Sequence, residues 1–244
     1  CLRCVQVRGR TVESETDSEV IAQQIDNNMA EGMDAVDAFE TVDILVNNAG
    51  ILRAKTFKKM SLDEWDQVVQ VHLNGSAYVT HAAWPIMCEK GYGRIIFTSS
   101  TSGIWGNFGQ ANYGAAKMGM LGLMNVLAIE GARNNVRVNC LAPGAATRMI
   151  ASIPGQDFDV ENPPEGRGPE LVTPAVIFMA SEDAPSGITI QAMDGNYSVA
   201  GMYSNDAVNL GTQVSYEDFV ARKQEILDMS VASKGSVAKA VGRE

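Results

Sequence analysis

The sequence has 244 residues, 45% apolar and 20% charged, a balance that suits one soluble globular domain and excludes disorder, collagen and disulfide scaffolds. Nineteen Lys and Arg against 29 Asp and Glu leave a net charge of −10, so no nucleic acid and no membrane is expected as a partner. The most apolar stretch, residues 118–129, is broken by Gly119, Gly122 and Asn125 and is too short to span a bilayer.

Four cysteines, Cys1, Cys4, Cys88 and Cys140, fall short of the density of a secreted scaffold, and no signal peptide is recognisable. A reducing, cytoplasmic setting is therefore expected. Cys1 and Cys4 form a C-x-x-C without a second pair, and His72 and His81 are remote in sequence, so no metal site is expected. Because the chain starts with Cys and not Met, it is expected to be a fragment or a processed product.

In chain order, residues 2–7 suit one strand and 17–27 one helix. Residues 41–47 (TVDILVN) are a continuous apolar run that stops at Asn-Asn-Ala-Gly, as a fully buried strand would. Ser61-Leu-Asp-Glu64 is a capping box, after which Leu62, Trp65, Val68, Val69, His72 and Leu73 recur at helical spacing, predicting a helix to about residue 87. Residues 93–99 read as a strand, 110–133 as a long helix, and 136–141 as a strand closed by Ala-Pro-Gly. Residues 151–172 lack any period and read as a loop with room for a short helix. Thr173-Pro174 opens a helix by N-cap and N1 chemistry, 188–192 is a further strand, and Ser215-Tyr-Glu-Asp218 caps a last helix to about 229, followed by a frayed tail. The β-α-β-α-β alternation from 41 to 144 points to an α/β fold with a parallel sheet.

In such a sheet, ligands bind beyond the carboxyl ends of the strands. Asn47-Asn48-Ala49-Gly50, Thr98-Ser99-Ser100 and Pro143-Gly144-Ala145-Ala146-Thr147 each leave a strand, and Tyr113-Gly-Ala-Ala-Lys117 opens the long helix. Tyr113 and Lys117 share one helix face, so the ammonium is expected to lower the phenol's pKa toward a working range. Ser100 would hold a substrate oxygen while Tyr113 exchanges its proton, the division of labour that hydride transfer at the attached carbon needs. Six Tyr and the Lys content give about 0.2 Y-x-x-x-K matches by chance, so the pair alone is weak and the ordered set carries the weight.

With N-N-A-G, S-x12-Y-x3-K and P-G in this order, residues 41–195 resemble the short-chain dehydrogenase/reductase family. The resemblance implies a Rossmann-like doubly wound sheet in a three-layer α/β/α arrangement and a nicotinamide cofactor, NAD or NADP, with NAD slightly ahead. It implies catalysis by Ser100, Tyr113 and Lys117, with Lys117 also on the nicotinamide ribose. Asn48, Ala49 and Gly50 would lie along the cofactor, Ala146 and Thr147 beside the nicotinamide amide, and the protein would be a homodimer or homotetramer. A narrower likeness runs through Gly50-Ile-Leu-Arg53, Val71-His-Leu-Asn-Gly-Ser76, Tyr92-Gly-Arg-Ile-Ile96, the segment 102–113, Leu127-Ala-Ile-Glu-Gly131 and Thr147-Arg-Met149. These are similar to the (3R)-hydroxyacyl-CoA dehydrogenase domain of peroxisomal multifunctional enzymes of type 2 and their bacterial relatives, which implies a 3-hydroxyacyl or 3-oxoacyl thioester substrate. On this basis the chain is one domain: 1–40 an incomplete cofactor-binding part, 41–195 the catalytic core and 196–244 a C-terminal extension.

Two departures from the family stand out. Counting 25 residues on from Asn47 and 28 back from Ser100 lands on His72, where most of the family has the Asn of its Asn-Ser-Tyr-Lys tetrad. His72 is read either as a substitute in a proton relay or as a packed side chain on an apolar helix face. The family's T-G-x-x-x-G-x-G turn is missing, since Gly9 and Gly32 are the only glycines before Gly50. The expectation is an N-terminally truncated sheet whose cofactor affinity is weak, in the millimolar range, because backbone N–H bonds to the pyrophosphate are lost. A non-catalytic relative, a pseudoenzyme or an assembly subunit, is the alternative. Met118, Met120 and Met124 could line an acyl channel but read better as core fillers.

Overall fold

The computed structural model describes residues 5–7, 10–12, 42–151, 158–159 and 164–235, the first two segments by backbone alone. The helix expected at 17–27, Cys1, Cys4 and much of the 151–172 loop lie outside the described residues. The described residues divide into two compact units on either side of the Val199–Ala200 bond.

The first unit is built on a five-stranded sheet in the order β3-β4-β5-β6-β7, with β3 Ile44–Asn47, β4 Gly93–Thr98, β5 Val136–Gly144, β6 Thr189–Met193 and β7 Asn196–Ala200. The first four are parallel, in registers that set Asn47 beside Phe97, Phe97 beside Cys140 and Cys140 beside Thr189. Every residue of β4 is buried, as expected of a central parallel strand covered on both faces. β7, which the sequence reading did not include, returns after the two-residue turn Asp194-Gly195, both at positive φ, so it runs antiparallel at the edge.

Alternate residues of each strand feed two cores. Leu45, Ile95, Phe97, Val138 and Cys140 pack under Met87, Met120 and Met124 on one face, whereas Ile96, Leu141, Ile190 and Ala192 pack under Ala175 and Met179 on the other. The helices responsible are α2 Gly75–Lys90 and α4 Ala111–Gly131 on the first face and α6 Thr173–Ala180 on the second, giving a three-layer Rossmann-like α/β architecture. Met120 and Met124 are thus core residues.

The expected helix from the capping box is present but has three parts. Ser61 and Glu64 cap α1 Leu62–Val69, a π-helical turn spans Gln70–Asn74, and α2 follows without a break. The π turn adds a residue to the helical register at His72, a distortion common at functional sites. A short helix α3, Thr101–Trp105, was not foreseen because five residues carry no readable period. α5 is Arg148–Ala151. Thr173 is not a cap: it is already helical, and the preceding Val172 continues a 3-10 turn in helical conformation.

Val5–Val7 is a strand, β1, as the sequence suggested, but it pairs antiparallel with β2, Arg10–Val12, in a two-stranded sheet separate from the central one. The second unit holds β8 Tyr203–Ser204 paired with β9 Ser233–Lys234, and helices α7 Tyr216–Ala221 and α8 Lys223–Ile226. Ser215 and Asp218 form the expected capping box, but the helix is interrupted at Arg222 and ends before 229. Among the described residues no helix is long and apolar enough to cross a membrane.

Candidate active site

The end of β4, the π turn after α1 and the first two turns of α4 bring Ser100, His72, Tyr113 and Lys117 together. Thr98 ends β4 and Ser99 follows it, both buried, and the Ser99 hydroxyl donates to Lys117 O at 2.9 Å. Ser100 caps α3, its Oγ accepting from the Ser102 N–H at 3.1 Å. A Cβ built on Gly103 would sit 2.7 Å from the Lys117 Cβ, so only glycine lets α3 lie this close against α4. That contact keeps Ser100, at the start of α3, near Tyr113, whose ionised form it favours.

Lys117 is 3% exposed and donates to Thr98 O, with Nζ 5.3 Å from the centre of the Tyr113 ring. Desolvation lowers its pKa to about 7. The Tyr113 phenol behaves differently from the sequence expectation. Burial raises its pKa above the ordinary value, and Ser100 only partly opposes this. The physical reason is that a half-neutral, desolvated amine directed at a carbonyl is a weak stabiliser of a phenolate, while burial acts on the phenol in full.

His72 is completely buried, edge-on to the Tyr113 ring at 5.1 Å between centroids. Its Nε2 lies 3.0 Å from Ile51 N and 2.7 Å from Ile51 O. One ring nitrogen can either accept from the first or donate to the second, whereas an Asn amide can do both at once. Its Nδ1 is buried with no partner among the described residues. Desolvation first, then the Lys117 charge, lowers its pKa to about 4 against a smaller opposing effect of the Ile51 backbone, so the ring is neutral near pH 7. A Cβ on Gly50 would come within 2.5 Å of the His72 ring, so the Gly at 50 is required by the imidazole itself.

Asn112 was overlooked in the sequence. It is fully buried and donates through Nδ2 to Arg53 O at 3.2 Å and Glu64 O at 3.0 Å, while its Oδ1 accepts from Tyr113 N at 2.8 Å. This one amide joins the loop after β3, the start of α1 and the start of α4. A polar residue immediately before the Tyr, at a helix start, was the available signal.

The remaining predicted residues are dispersed along the same edge. Asn48 and Gly50 are half-buried and Ala49 exposed after β3. Ala146 is 2% exposed and donates from its N–H to Arg167 O at 2.7 Å, and Thr147 Oγ1 accepts from Ile150 N at 3.4 Å beyond β5. The donor set suits the ribose of a nicotinamide cofactor: among the described residues the Lys117 ammonium has one acceptor for its three N–H bonds, and the Thr98 hydroxyl is buried without a partner.

Comparison with known proteins agrees with this geometry. The short chain dehydrogenase family profile matches residues 8–156. Peroxisomal multifunctional enzyme type 2 of Mus musculus is 50% identical over 148 residues, 61% of this chain and 20% of that protein. An acetoacetyl-CoA reductase of Rhizobium meliloti is 39% identical over 201 residues, covering 78% of this chain and 83% of that one. The solved structure of full-length peroxisomal multifunctional enzyme type 2 from Drosophila melanogaster superposes with a TM-score of 0.70 at 37% identity, over 89% of this chain and 41% of that chain. This chain therefore spans less than half of either multifunctional enzyme. It belongs to the short-chain dehydrogenase family and is an oxidoreductase of that family, whose members generally use a nicotinamide cofactor.

Proposed function

We propose that the chain interconverts a 3-hydroxyacyl thioester and its 3-oxoacyl form with a nicotinamide cofactor, NAD ahead of NADP. The observation that carries the reading is the convergence of Ser100, at the start of α3, and the buried Lys117, with Nζ 5.3 Å from the ring centre, on Tyr113. The thioester class is supported by the acetoacetyl-CoA reductase relative, since an acetoacetyl group is a 3-oxoacyl group.

When bound, the nicotinamide ring supplies a hydride to C3 of the substrate or accepts one from it. Ser100 Oγ holds the C3 oxygen. Tyr113, kept protonated by burial, gives that oxygen its proton in reduction and takes it back in oxidation. The phenolate left by the transfer is stabilised chiefly by Ser100, with the Lys117 amine, 5.3 Å from the ring centre, adding little. Asn48, Ala49, Gly50, Ala146 and Thr147 hold the cofactor, and Lys117 also reaches its ribose. His72, neutral at working pH, acts as a positioning residue that fixes the Ile51 peptide just after Gly50. Exposed Val126 and Ile129 on α4 support a subunit contact in a homodimer or homotetramer, and the free thiols Cys88 and Cys140 are compatible with a cytoplasmic setting.

The test is reduction of acetoacetyl-CoA with NADH and with NADPH, followed by loss of reduced-nicotinamide absorbance. Turnover is expected, with NADH preferred, and Tyr113→Phe is expected to abolish it. A Tyr113→Phe rate above about a tenth of wild type would overturn the assignment.

A further inference from the structure

The chain carries a net charge of −10, yet between Asp43 and Asp63 it contains four cations, Arg53, Lys55, Lys58 and Lys59, and no acidic residue. All four are exposed. They occupy the loop between β3 and α1, which is fastened to the rim of the candidate site at three points. Asn112 holds Arg53 O, Lys55 forms a parallel bridge with Gln110 three residues before Tyr113, and a Cβ on Gly109 would touch the Lys55 backbone.

The loop has a definite conformation. Lys59 N and Met60 N both donate to Thr56 O, at 2.8 and 3.0 Å, forming a turn that presents Lys58 and Lys59 to solvent. Among the described residues Lys55 alone of the four pairs with a carboxylate, that of Glu64. Lys58 and Lys59 just precede Ser61, the cap of α1, where the helix dipole disfavours cations, so the stability of α1 does not explain them. Phe57, between them and Lys55, is 74% exposed and rests by one edge contact on Trp65 at 6.3 Å. A flat aromatic face next to ammonium groups that have no carboxylate among the described residues matches a nucleotide carrying several phosphates.

We propose that Arg53, Phe57, Lys58 and Lys59 form the docking surface for the nucleotide end of coenzyme A, with the phosphates on the cations and the adenine on Phe57. This rests on the thioester reading above, and assigns the end of the substrate remote from the reacting carbon. Binding there holds the thioester arm at the rim, from which the acyl group reaches Ser100 and Tyr113. The negative charge elsewhere on the chain repels an anionic ligand, and the loop offers it a local cluster of positive charge.

The experiment titrates coenzyme A itself against the 244-residue chain by calorimetry, so it does not depend on turnover. Lys58→Glu combined with Lys59→Glu should weaken binding by about tenfold or more, with greater effect at low salt. Phe57→Ala should weaken coenzyme A and 3′-dephospho-coenzyme A equally and leave pantetheine unaffected. If the enzyme turns over, the double variant should raise KM for acetoacetyl-CoA, keep kcat, and leave acetoacetyl-N-acetylcysteamine, which lacks phosphates, unchanged. Loss of coenzyme A binding in the variant of an inactive wild type would support the surface while rejecting the thioester reading. Equal coenzyme A affinity in wild type and double variant, no binding by wild type, or an effect confined to a carrier-protein-bound substrate would each overturn the proposal.

Discussion

Strand β4 has a buried cation at each end, and the two are treated in opposite ways. At its amino end Arg94 is 1% exposed, donates to Ser181 O, Gly93 O and Asn135 O at 2.8 to 3.0 Å, and lies 4.3 Å over the Tyr92 ring. At its carboxyl end Lys117 is equally hidden but has Thr98 O as its acceptor, close to a Thr98 hydroxyl and a His72 Nδ1 with no partner among the described residues. Buried polar groups are normally satisfied, because an unpaired one costs about 1–3 kcal/mol. A saturated cation is what the fold needs to close a layer. An unsaturated one, with unpaired neighbours, marks the end of the sheet where a ligand completes the bonding.

The sharpest way to break this contrast is at the proton donor. Tyr113→Phe keeps the ring against His72 and removes only the oxygen, so kcat should fall by roughly a thousandfold while the thermal midpoint moves by no more than a few degrees. A large loss of stability with residual activity would place the tyrosine among the structural groups.

Next come the two cations, exchanged for an apolar side chain of similar length. Arg94→Met leaves three carbonyls unpaired and should cost about 3 kcal/mol, lowering the midpoint by roughly 6–12 °C without changing kcat/KM measured on the folded protein. Lys117→Met should do the reverse, removing turnover with a stability change at pH 7 of about 1 kcal/mol or less. Its folded pKa of about 7 lies below the ordinary 10.5, so the unfolded chain binds more protons in that window and wild-type stability should rise there relative to the Met variant. A flat difference between the two proteins from pH 7 to 10 would show that the lysine is not desolvated.

His72 sharpens the comparison from the acid side. Its pKa is lowered from 6.5 to about 4, so its contribution is complete above pH 6.5 and is lost as the pH falls to about 4, when the folded chain must accept a buried charge. The loss corresponds to roughly 3 kcal/mol. Urea midpoints at pH 7 and pH 4.5 should differ by less in His72→Asn than in wild type, and the Asn variant should keep activity because an amide can meet both Ile51 groups. An unchanged acid slope would remove His72 from the account of stability.

The smallest effect belongs to the second unit, whose residues 201–235 include no buried side chain. Ser215→Ala removes an exposed capping box and should cost about 1 kcal/mol locally, seen as faster amide exchange in α7, with no change in turnover. A change in activity would mean that this helix does more than cap itself.

Much of this was legible in the chain. The strands at 44–47, 93–98 and 136–144, the capping boxes at Ser61 and Ser215, and the long helix carrying Tyr113 and Lys117 follow from apolar runs, helical spacing and cap chemistry. Helix α3 and strand β7 were not legible: one is five residues long, and the other is mostly exposed and held by its neighbour β6. Asn112 looked like an ordinary polar residue because its three partners are contributed by two other segments and its own helix.

What the sequence determined by itself was the order of elements and the presence of Ser100, Tyr113, Lys117 and His72 at the ends that face a ligand, since period, caps and turns act over a few residues. The tertiary structure alone decided the state of those groups. Burial set the protonated Tyr113, the half-neutral Lys117 and the neutral His72, and the fastening of the Arg53–Lys59 loop to α4 turned a run of cations into the rim of the site. Desolvation and contacts between distant segments have no signature in local spacing, because they exist only once the layers have packed.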